Sequence, residues 1–256
     1  MRKGLRETNK TKLSFSWGAI TDIGRVREEN QDAYFADPDT GLFLVSDGMG
    51  GHQAGALASK VVSEVFPVMV KEKLGKLKSH GTAAMKSMLK KTIVELSRQT
   101  RIQSSNQTGL MGMGATLVMA LLRGNQAFIA NMGDSRAYLC RKGQLSQISE
   151  EHSVVGILLR TKEITPQEAR YHPARGQLTR FIGMLDEVYP YVCTVTLKPK
   201  DRILLCSDGL TGMVEDKEIV KLLQENKNPQ DACKMLVDKA NAAGGHDNIT
   251  VVVVDL

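Results

Sequence analysis

The sequence contains no long hydrophobic run. None of its apolar stretches approaches the roughly 20 consecutive residues that a membrane-spanning helix needs. The N-terminal segment is polar and has no hydrophobic core of the kind found in secretion signals. These two absences argue against a membrane protein and predict a cytoplasmic one.

Cysteine motifs are also missing. The cysteines form no Cys-x-x-Cys pair and the chain has no His-Glu-x-x-His segment, so the usual ligand patterns for zinc are absent. No cysteine is followed by arginine six positions later, which excludes the thiolate-and-arginine loop of cysteine-dependent phosphatases. We expect reduced core residues at Cys140, Cys193, Cys206 and Cys233.

Outside the N-terminus there is little excess charge. The formal net charge is +6, and residues 1–12 supply +4 of it. A short basic segment of this kind is typically solvated and disordered. We interpret residues 1–13 as a basic flexible leader, in preference to an arm that binds nucleic acid or an acidic partner. Its charged residues are Arg2, Lys3, Arg6, Lys10 and Lys12, set against Glu7.

The rest of the chain has the composition of a globular protein. Hydrophobic residues make up 42% and charged residues 24%, which is enough to build one full core, so we expect residues 14–256 to form a single domain. Strand and helix patterns occur in blocks, which favours an α+β layered sandwich over a doubly wound sheet. Strands are predicted at 15–20, 33–36, 42–46, 116–122, 126–132, 136–141, 144–148, 191–197, 203–207 and 249–254, and helices at 54–77, 83–103, 165–170, 216–224 and 228–240.

One hexapeptide recurs. LVSDGM at residues 44–49 returns as LCSDGL at residues 205–210, and we call these the first and second Ser-Asp-Gly segments. A carboxylate at the end of a buried strand is held rigidly, and the glycine lets a hydrated ion approach the backbone carbonyl. Asp-Gly is also a favoured turn dipeptide, so either segment alone is better explained as a turn.

Further aspartates occupy similar places. Asp134 lies between two predicted strands, at what we expect to be a hairpin tip, while Asp32 and Asp247 each precede a strand. Converging carboxylates raise one another's pKa and destabilise a fold unless cations neutralise them. An all-oxygen site of this kind suits Mg²⁺ or Mn²⁺ and disfavours zinc.

Together the motifs resemble a known family. The chain contains RxxNxD at 27–32, SDGMGGH at 46–52, GAT at 114–116, GDSR at 133–136, SDGL at 207–210 and GxDN at 245–248. Their order and approximate spacing are similar to those of the metal-dependent protein phosphatases of the 2C class, and most similar to the compact bacterial branch. The resemblance spans residues 14–256.

The resemblance implies a fold and a metal site. The fold would be a four-layer α-β-β-α sandwich of two mainly antiparallel sheets flanked by helices. Asp47 would bridge two ions, with the Gly48 carbonyl, Asp208 and Asp247 as further ligands. Asp32 would hold water bound to the ions, and Asp134 would join Asp208 at a third ion. Two such ions can share a water, lower its pKa and direct the hydroxide at phosphorus without a phosphoenzyme.

Arg27 is the candidate phosphate clamp, because a guanidinium fork can bind two phosphate oxygens at once. The alternative is a surface arginine within a charged stretch that includes Glu28 and Glu29.

The chain also departs from the family pattern. Many animal members have histidine where this chain has Met49, so an imidazole acid is absent there. His52 and Asn248 are candidate accessory residues. Glu151 stands where aspartate is more usual, in Glu-His-Ser at 151–153.

Residues 151–183 match the position of the family's mobile flap, and we use that name for them. Arg175, Thr179 and Arg180 are candidate contacts to the phosphoprotein, against the alternative of a solvated charged loop.

The resulting hypothesis is a monomeric enzyme that hydrolyses phosphoserine and phosphothreonine on proteins with Mn²⁺ or Mg²⁺. It would oppose a bacterial serine/threonine kinase or act on a phosphorylated regulator, and would bind neither nucleic acid nor membrane. The alternative is a pseudophosphatase that keeps the fold only to bind a partner. Because pseudophosphatases usually lose metal ligands, the complete set of aspartates favours the enzyme. Nucleic-acid binding would rest on the leader alone.

Overall fold

The structure is a computed structural model that describes residues 14–50, 52–106, 108–110 and 112–256. The predicted leader at 1–13 lies outside the described residues, and so do the side chains of His52, Gln53 and Thr108. In the described ranges, no helix is long and apolar enough to span a bilayer.

Strands and helices alternate in blocks, as the sequence predicts. The strands are β1 (Ser16–Asp22), β2 (Asp32–Asp37), β3 (Leu42–Met49), β4 (Gly114–Ala115), β5 (Leu117–Arg123), β6 (Gln126–Met132), β7 (Arg136–Arg141), β8 (Gln144–Gln147), β9 (Tyr191–Thr196), β10 (Arg202–Cys206) and β11 (Ile249–Asp255). The helices are α1 (His52–Lys76), α2 (Thr82–Ser105), α3 (Val154–Arg160), α4 (Pro166–Tyr171), α5 (Asp208–Thr211), α6 (Asp216–Glu225) and α7 (Pro229–Ala242).

The strands form two antiparallel sheets. One sheet has the order β1-β11-β10-β7-β8, and the other has the order β2-β3-β5-β6-β9 with β4 paired to β3. Helices α1 and α2 cover the β3 sheet, while α5, α6 and α7 cover the β10 sheet. The predicted four-layer α-β-β-α sandwich is therefore confirmed.

Strand alternation separates the core into three layers. In β3, Leu42 and Leu44 pack against α1 and α2, whereas Phe43 and Val45 face the opposite sheet. In β10, Leu204 packs against the helices, and Leu205 joins the layer between the sheets. Because both faces of each sheet are buried, successive residues of the central strands are all apolar.

Capping residues set the helix ends in the flap. Thr165 and Glu168 form a reciprocal capping box at the start of α4, which has proline in its first turn and lies where a helix is predicted. Helix α3 was not predicted. Its N-cap is Ser153, whose hydroxyl accepts the amide of Gly156 at 2.9 Å.

The hairpin prediction around Asp134 is wrong. Strand β6 pairs with β5 and β9, whereas β7 pairs with β10 and β8 in the other sheet. The connection at 133–135 therefore crosses between the sheets, with Gly133 at a φ of +105°. Apolar periodicity identified both strands but not their partners, because both sheets offer buried neighbours on either face.

Candidate metal centre

Antiparallel pairing brings distant aspartates to one end of the sandwich. Asp208 follows β10 and Asp247 precedes β11, and these strands are antiparallel neighbours. Asp47 lies near the end of β3, and its direct partner across the ladder is Asp32 at the start of β2. Asp134 follows β6. We call Asp32, Asp47, Asp134, Asp208 and Asp247 the carboxylate cluster.

The pKa values of Asp32 and Asp47 are both raised. Burial raises the pKa of Asp32 to about 7 against the hydrogen bond from Ser207, and the charges of Asp208 and Asp247 add to the increase. Burial also raises the pKa of Asp47 well above its usual range, with further increases from Asp32 and Asp208. Like charges directly opposite in a ladder are destabilising, and either protonation or a bound cation relieves the repulsion.

Asp134 and Asp208 show the same behaviour. Burial raises the pKa of Asp134, and the charges of Asp208 and Glu151 raise it further. Burial and the charge of Asp247 raise the pKa of Asp208, while the positive charge of Arg175 opposes them. The charges of Asp208 and Asp134 also raise the pKa of Asp47, which links these two residues to the Asp32–Asp47 pair.

The donor set fits hard divalent cations. Oδ1 of Asp32 and Oδ1 of Asp208 are buried and have no hydrogen-bond partner among the described residues. Buried carboxylate oxygens of this kind are costly unless a charge or a donor meets them. Within the described ranges, however, no three Asp, Glu, His or Cys side chains are arranged to hold an ion as they stand. Binding would therefore require the carboxylates to adjust.

The backbone of Gly48 is fixed beside Asp47, between the segment before β2 and helix α1. Its amide donates to the carbonyl of Gln31 at 3.0 Å, which ties the end of β3 to the segment before β2. A Cβ at Gly48 would overlap the carbonyl oxygen of Gly55 in α1. Only glycine therefore allows the helix to pack this closely behind Asp47.

Arg27 contacts the cluster directly. Its Nη2 donates to Oδ2 of Asp247 at 2.8 Å, and its side chain remains 53% exposed. The guanidinium therefore lies at the solvent-facing rim of the cluster.

Asn248 organises the segment that carries Arg27. Its side-chain oxygen accepts the amide of Gln31 at 2.8 Å, and its Nδ2 donates to the carbonyls of Ile23 and Glu29, each at 2.9 Å. Its observed role is to anchor residues 23–31 against the start of β11. The side chain of His52, the other accessory candidate, lies outside the described residues.

Of the flap candidates, Arg175 reaches the cluster. A cavity of about 440 Å³ lies between the flap and the body, lined by Asp134, Asp208 and Arg175 among others. The Arg175 guanidinium packs against Gly212, directly after α5. Arg180 instead donates to the carbonyl of Tyr189 at 3.3 Å, and the Thr179 amide donates to the carbonyl of His152 at 2.9 Å.

The Glu-His-Ser segment fastens the base of the flap. Glu151 forms an ion pair with Arg136 at 2.6 Å and accepts a hydrogen bond from the Ser153 hydroxyl at 2.6 Å. His152 is buried, and its Nδ1 accepts the amide of Gly133 at 3.3 Å. Burial and the charges of Arg180 and Arg160 lower the pKa of His152 to about 4, so it is neutral at physiological pH.

Sequence reasoning missed the Arg136–Glu151 pair. Arg136 lies in the GDSR motif, whose candidate ligand is the aspartate, and Glu151 differs from the aspartate that is more usual in the family. The side chains meet because β7 leaves the crossover beside the flap, and this crossover was predicted as a hairpin. Their separation along the sequence contained no signal for the contact.

Comparisons with known proteins identify the family. A sequence profile described as Protein phosphatase 2C matches residues 25–242. The serine/threonine phosphatase stp of Listeria monocytogenes is 38% identical over 238 residues, which cover 92% of this chain and 93% of that protein. The structure of serine/threonine phosphatase Stp1 from Staphylococcus aureus has a TM-score of 0.86 at 33% identity, with 96% of each chain covered.

A further solved structure contains metal. The catalytic domain of the serine/threonine protein phosphatase PstP, in complex with 2 manganese ions, has a TM-score of 0.75 and 32% identity. The match covers 94% of this chain and 97% of that one. None of these comparisons supports the pseudophosphatase alternative. The chain belongs to the protein phosphatase 2C family, and it is a protein serine/threonine phosphatase.

Proposed function

We propose that this phosphatase works through divalent cations held by the carboxylate cluster. The supporting observation is that carboxyl groups with raised pKa values converge from separate segments while Oδ1 of Asp32 and Oδ1 of Asp208 lack partners among the described residues. Asp47, Asp208, Asp247 and the carbonyl of Gly48 would hold two ions, and Asp134 with Asp208 would hold a third. Mn²⁺ or Mg²⁺ bound there would supply Lewis acidity and lower the pKa of a water towards neutrality.

Arg27 would orient the phosphate. Its pair with Asp247 engages Nη2, and a guanidinium carries five N–H donors, so further donors remain for phosphate oxygens. Because the carboxylate of Asp247 fixes the guanidinium at the rim of the cluster, the clamp would be in place before substrate arrives.

Asp32 would receive a hydrogen bond from water in the cluster. Its Oδ2 accepts from the Ser207 hydroxyl at 2.7 Å, and its buried Oδ1 is left to accept from water. The thioether of Met49 cannot supply a proton, and neutral His152 is turned towards Gly133. Neither side chain would therefore act as the acid for the leaving hydroxyl.

The flap would contact the phosphoprotein through Arg175. This arginine shares the cavity with Asp134 and Asp208, so it would meet chain flanking the phosphorylated residue. We propose that the enzyme opposes a serine/threonine kinase or acts on a phosphorylated regulator. We also propose that it works as a cytoplasmic monomer, with residues 14–256 as one catalytic domain.

Hydrolysis of a phosphothreonine peptide tests this function. Activity should require Mn²⁺ or Mg²⁺ and should disappear in Asp208→Asn. The matched control is Asp186→Asn, which changes an exposed aspartate outside the cluster and should leave activity unchanged. Full activity of the wild type in excess chelator would refute the proposal.

A further inference from the structure

Two motif residues without an assigned role, Thr116 and Ser135, form a hydrogen bond between the two sheets beside the carboxylate cluster. Thr116 closes the GAT motif, and Ser135 follows Asp134 in the GDSR motif. Both side chains are almost fully buried, with exposures of 2% and 1%. Their hydroxyl oxygens are 2.7 Å apart, although Thr116 precedes β5 in one sheet and Ser135 precedes β7 in the other.

Thr116 interrupts the ladder at Asp47. Strand β3 pairs Val45 with Val118 and Gly48 with Ala115, which places Asp47 opposite Thr116. The Thr116 amide donates to the Asp47 carbonyl at 2.8 Å, as in a regular ladder. The Asp47 amide, however, donates to the Thr116 hydroxyl at 2.9 Å.

A second hydroxyl completes the interruption. The carbonyl of Thr116, which would accept the Asp47 amide in a regular antiparallel pair, accepts the hydroxyl of Ser46 at 2.7 Å. Two side-chain hydroxyls thus replace one backbone bond beside Asp47. The Asp47 amide and the Thr116 carbonyl both stay paired, and the Thr116 hydroxyl also reaches Ser135 beside the other sheet.

The Thr116 methyl group is also used. A Cβ at Gly133 would lie 2.6 Å from Cγ2 of Thr116, so the methyl packs directly on the Gly133 backbone. Gly133 immediately precedes Asp134. Thr116 therefore holds the 133–135 connection by its hydroxyl and its methyl, and holds Asp47 by its hydroxyl.

We infer that Thr116 and Ser135 are positioning residues that set the distance between Asp47 and Asp134. The inference rests on the proposed cation site. One buried hydroxyl touches the backbone of Asp47 and the residue after Asp134, so removing it frees the two carboxylates to move independently. Partners that orient metal ligands typically contribute 10–100-fold in metal affinity.

The test is calorimetric titration of the metal-stripped full chain with Mn²⁺. Thr116→Val keeps the shape and removes the hydroxyl, so the Kd for Mn²⁺ should rise about 10–100-fold. Thr116→Ser keeps the hydroxyl and loses only the methyl contact with Gly133, so its Kd should lie closer to wild type than that of Thr116→Val. Ser135→Ala keeps the hydrogen bond from the Asp47 amide to the Thr116 hydroxyl. Its Kd for Mn²⁺ should therefore lie between those of the wild type and Thr116→Val.

Thr100→Val is the matched control. Thr100 is equally buried, and its hydroxyl has no hydrogen-bond partner in the described part of the chain, so this variant should bind Mn²⁺ like the wild type. In assays with a phosphothreonine peptide, Thr116→Val should need more Mn²⁺ for half-maximal activity while the KM for peptide stays unchanged. A general packing defect would lower kcat at every Mn²⁺ concentration.

The outcomes separate the two proposals. If the wild type binds neither Mn²⁺ nor Mg²⁺, the cation site itself is refuted. If the wild type binds Mn²⁺ and a folded Thr116→Val binds it equally well, the positioning role is overturned. If Thr116→Val does not fold in chelator, Ser135→Ala decides, and wild-type affinity in that variant overturns the inference.

Discussion

The two Ser-Asp-Gly segments share a sequence pattern but occupy different structures. Asp47 of the first segment lies within β3, which continues to Met49, whereas Asp208 of the second begins helix α5 after β10 has ended. In both, the glycine faces a backbone carbonyl where a Cβ would overlap it: Gly55 for Gly48, and Asn248 for Gly209. The shared glycine therefore reflects the close approach of a protein backbone carbonyl, in addition to the space for an ion that the sequence suggests.

The serines of the two segments donate to different kinds of acceptor. Ser46 donates to the carbonyl of Thr116 at 2.7 Å and braces the backbone beside Asp47. Ser207 is the N-cap of α5, yet its hydroxyl donates to Asp32 at 2.7 Å instead of capping the helix. The same local pattern thus gives a serine that binds a backbone carbonyl in the first segment and a serine that binds a carboxylate in the second. Neighbouring segments, and not the pattern, determine what each serine does.

The largest expected effect tests what the segments share. Asp47→Asn and Asp208→Asn should each lower kcat/KM for a phosphothreonine peptide by about 10³-fold or more, because each removes a charged ligand worth several kcal/mol. In chelator, both variants should melt at or above the wild-type temperature, because each removes a carboxylate whose pKa is raised by burial. A tenfold or smaller loss in only one of them would show that the segments are not equivalent at the site.

The glycines test the shared close approach. Gly48→Ala and Gly209→Ala should each lower the free energy of unfolding by about 2–4 kcal/mol, because a backbone carbonyl must move to admit the methyl group. Gly75→Ala is the control: its Cβ would meet nothing within 4 Å, and it should stabilise α1 by about 0.5–1 kcal/mol. Urea unfolding measures all three, and equal effects at the three positions would contradict the packing argument.

Substitution of Arg27 tests whether the phosphate is bound at the part of the cluster that is formed by the second Ser-Asp-Gly segment. Its partner Asp247 precedes β11, next to Asp208. Arg27→Ala should lower kcat/KM by about 10–150-fold, or 1.5–3 kcal/mol, as expected for a hydrogen-bonding cation. Arg25→Ala, which removes an exposed arginine two residues away, is the control and should have little effect. Unchanged kinetics in Arg27→Ala would assign Arg27 to the surface.

The serines test the difference between the segments. Ser46→Ala should cost about 1–3 kcal/mol of stability at every pH, because the buried Thr116 carbonyl loses its donor. Ser207→Ala removes a hydrogen bond that lowers the pKa of Asp32, so the pKa of Asp32 should rise further and metal-free stability should fall more at pH 8 than at pH 6. Melting curves at the two pH values distinguish them, and parallel losses would argue against the distinction.

The smallest expected effect is the pH dependence of the metal-free wild type. The pKa of Asp32 is about 7 in the folded state and near 3.8 when unfolded, so the folded chain binds more protons between these values. Its stability should therefore fall as pH rises from about 5 to 7, shifting Tm by a few degrees. Mn²⁺ should reverse the trend because ions and protons compete. A rising Tm in chelator over this range would contradict the raised pKa.

Much of the fold followed from local pattern. The core strands alternate or run apolar, and the helix predicted at 165–170 corresponds to α4. The partner of β7, helix α3 and the Arg136–Glu151 pair did not follow. Each depends on segments that meet only when the two sheets pack, and short apolar strands fit either sheet equally well.

The sequence by itself determined the family and the candidate residues for the chemistry. The aspartates and Arg27 lie in motifs whose order identifies the family. Local structure alone is enough to place a carboxylate at the end of a strand, so the sequence pattern could indicate these positions. The tertiary structure decided their charge states and contacts: Asp32 opposite Asp47, Ser207 on Asp32, and Arg175 rather than Arg180 beside the cluster. Burial and the fields of neighbouring charges arise only when distant segments pack together, and no local pattern encodes them.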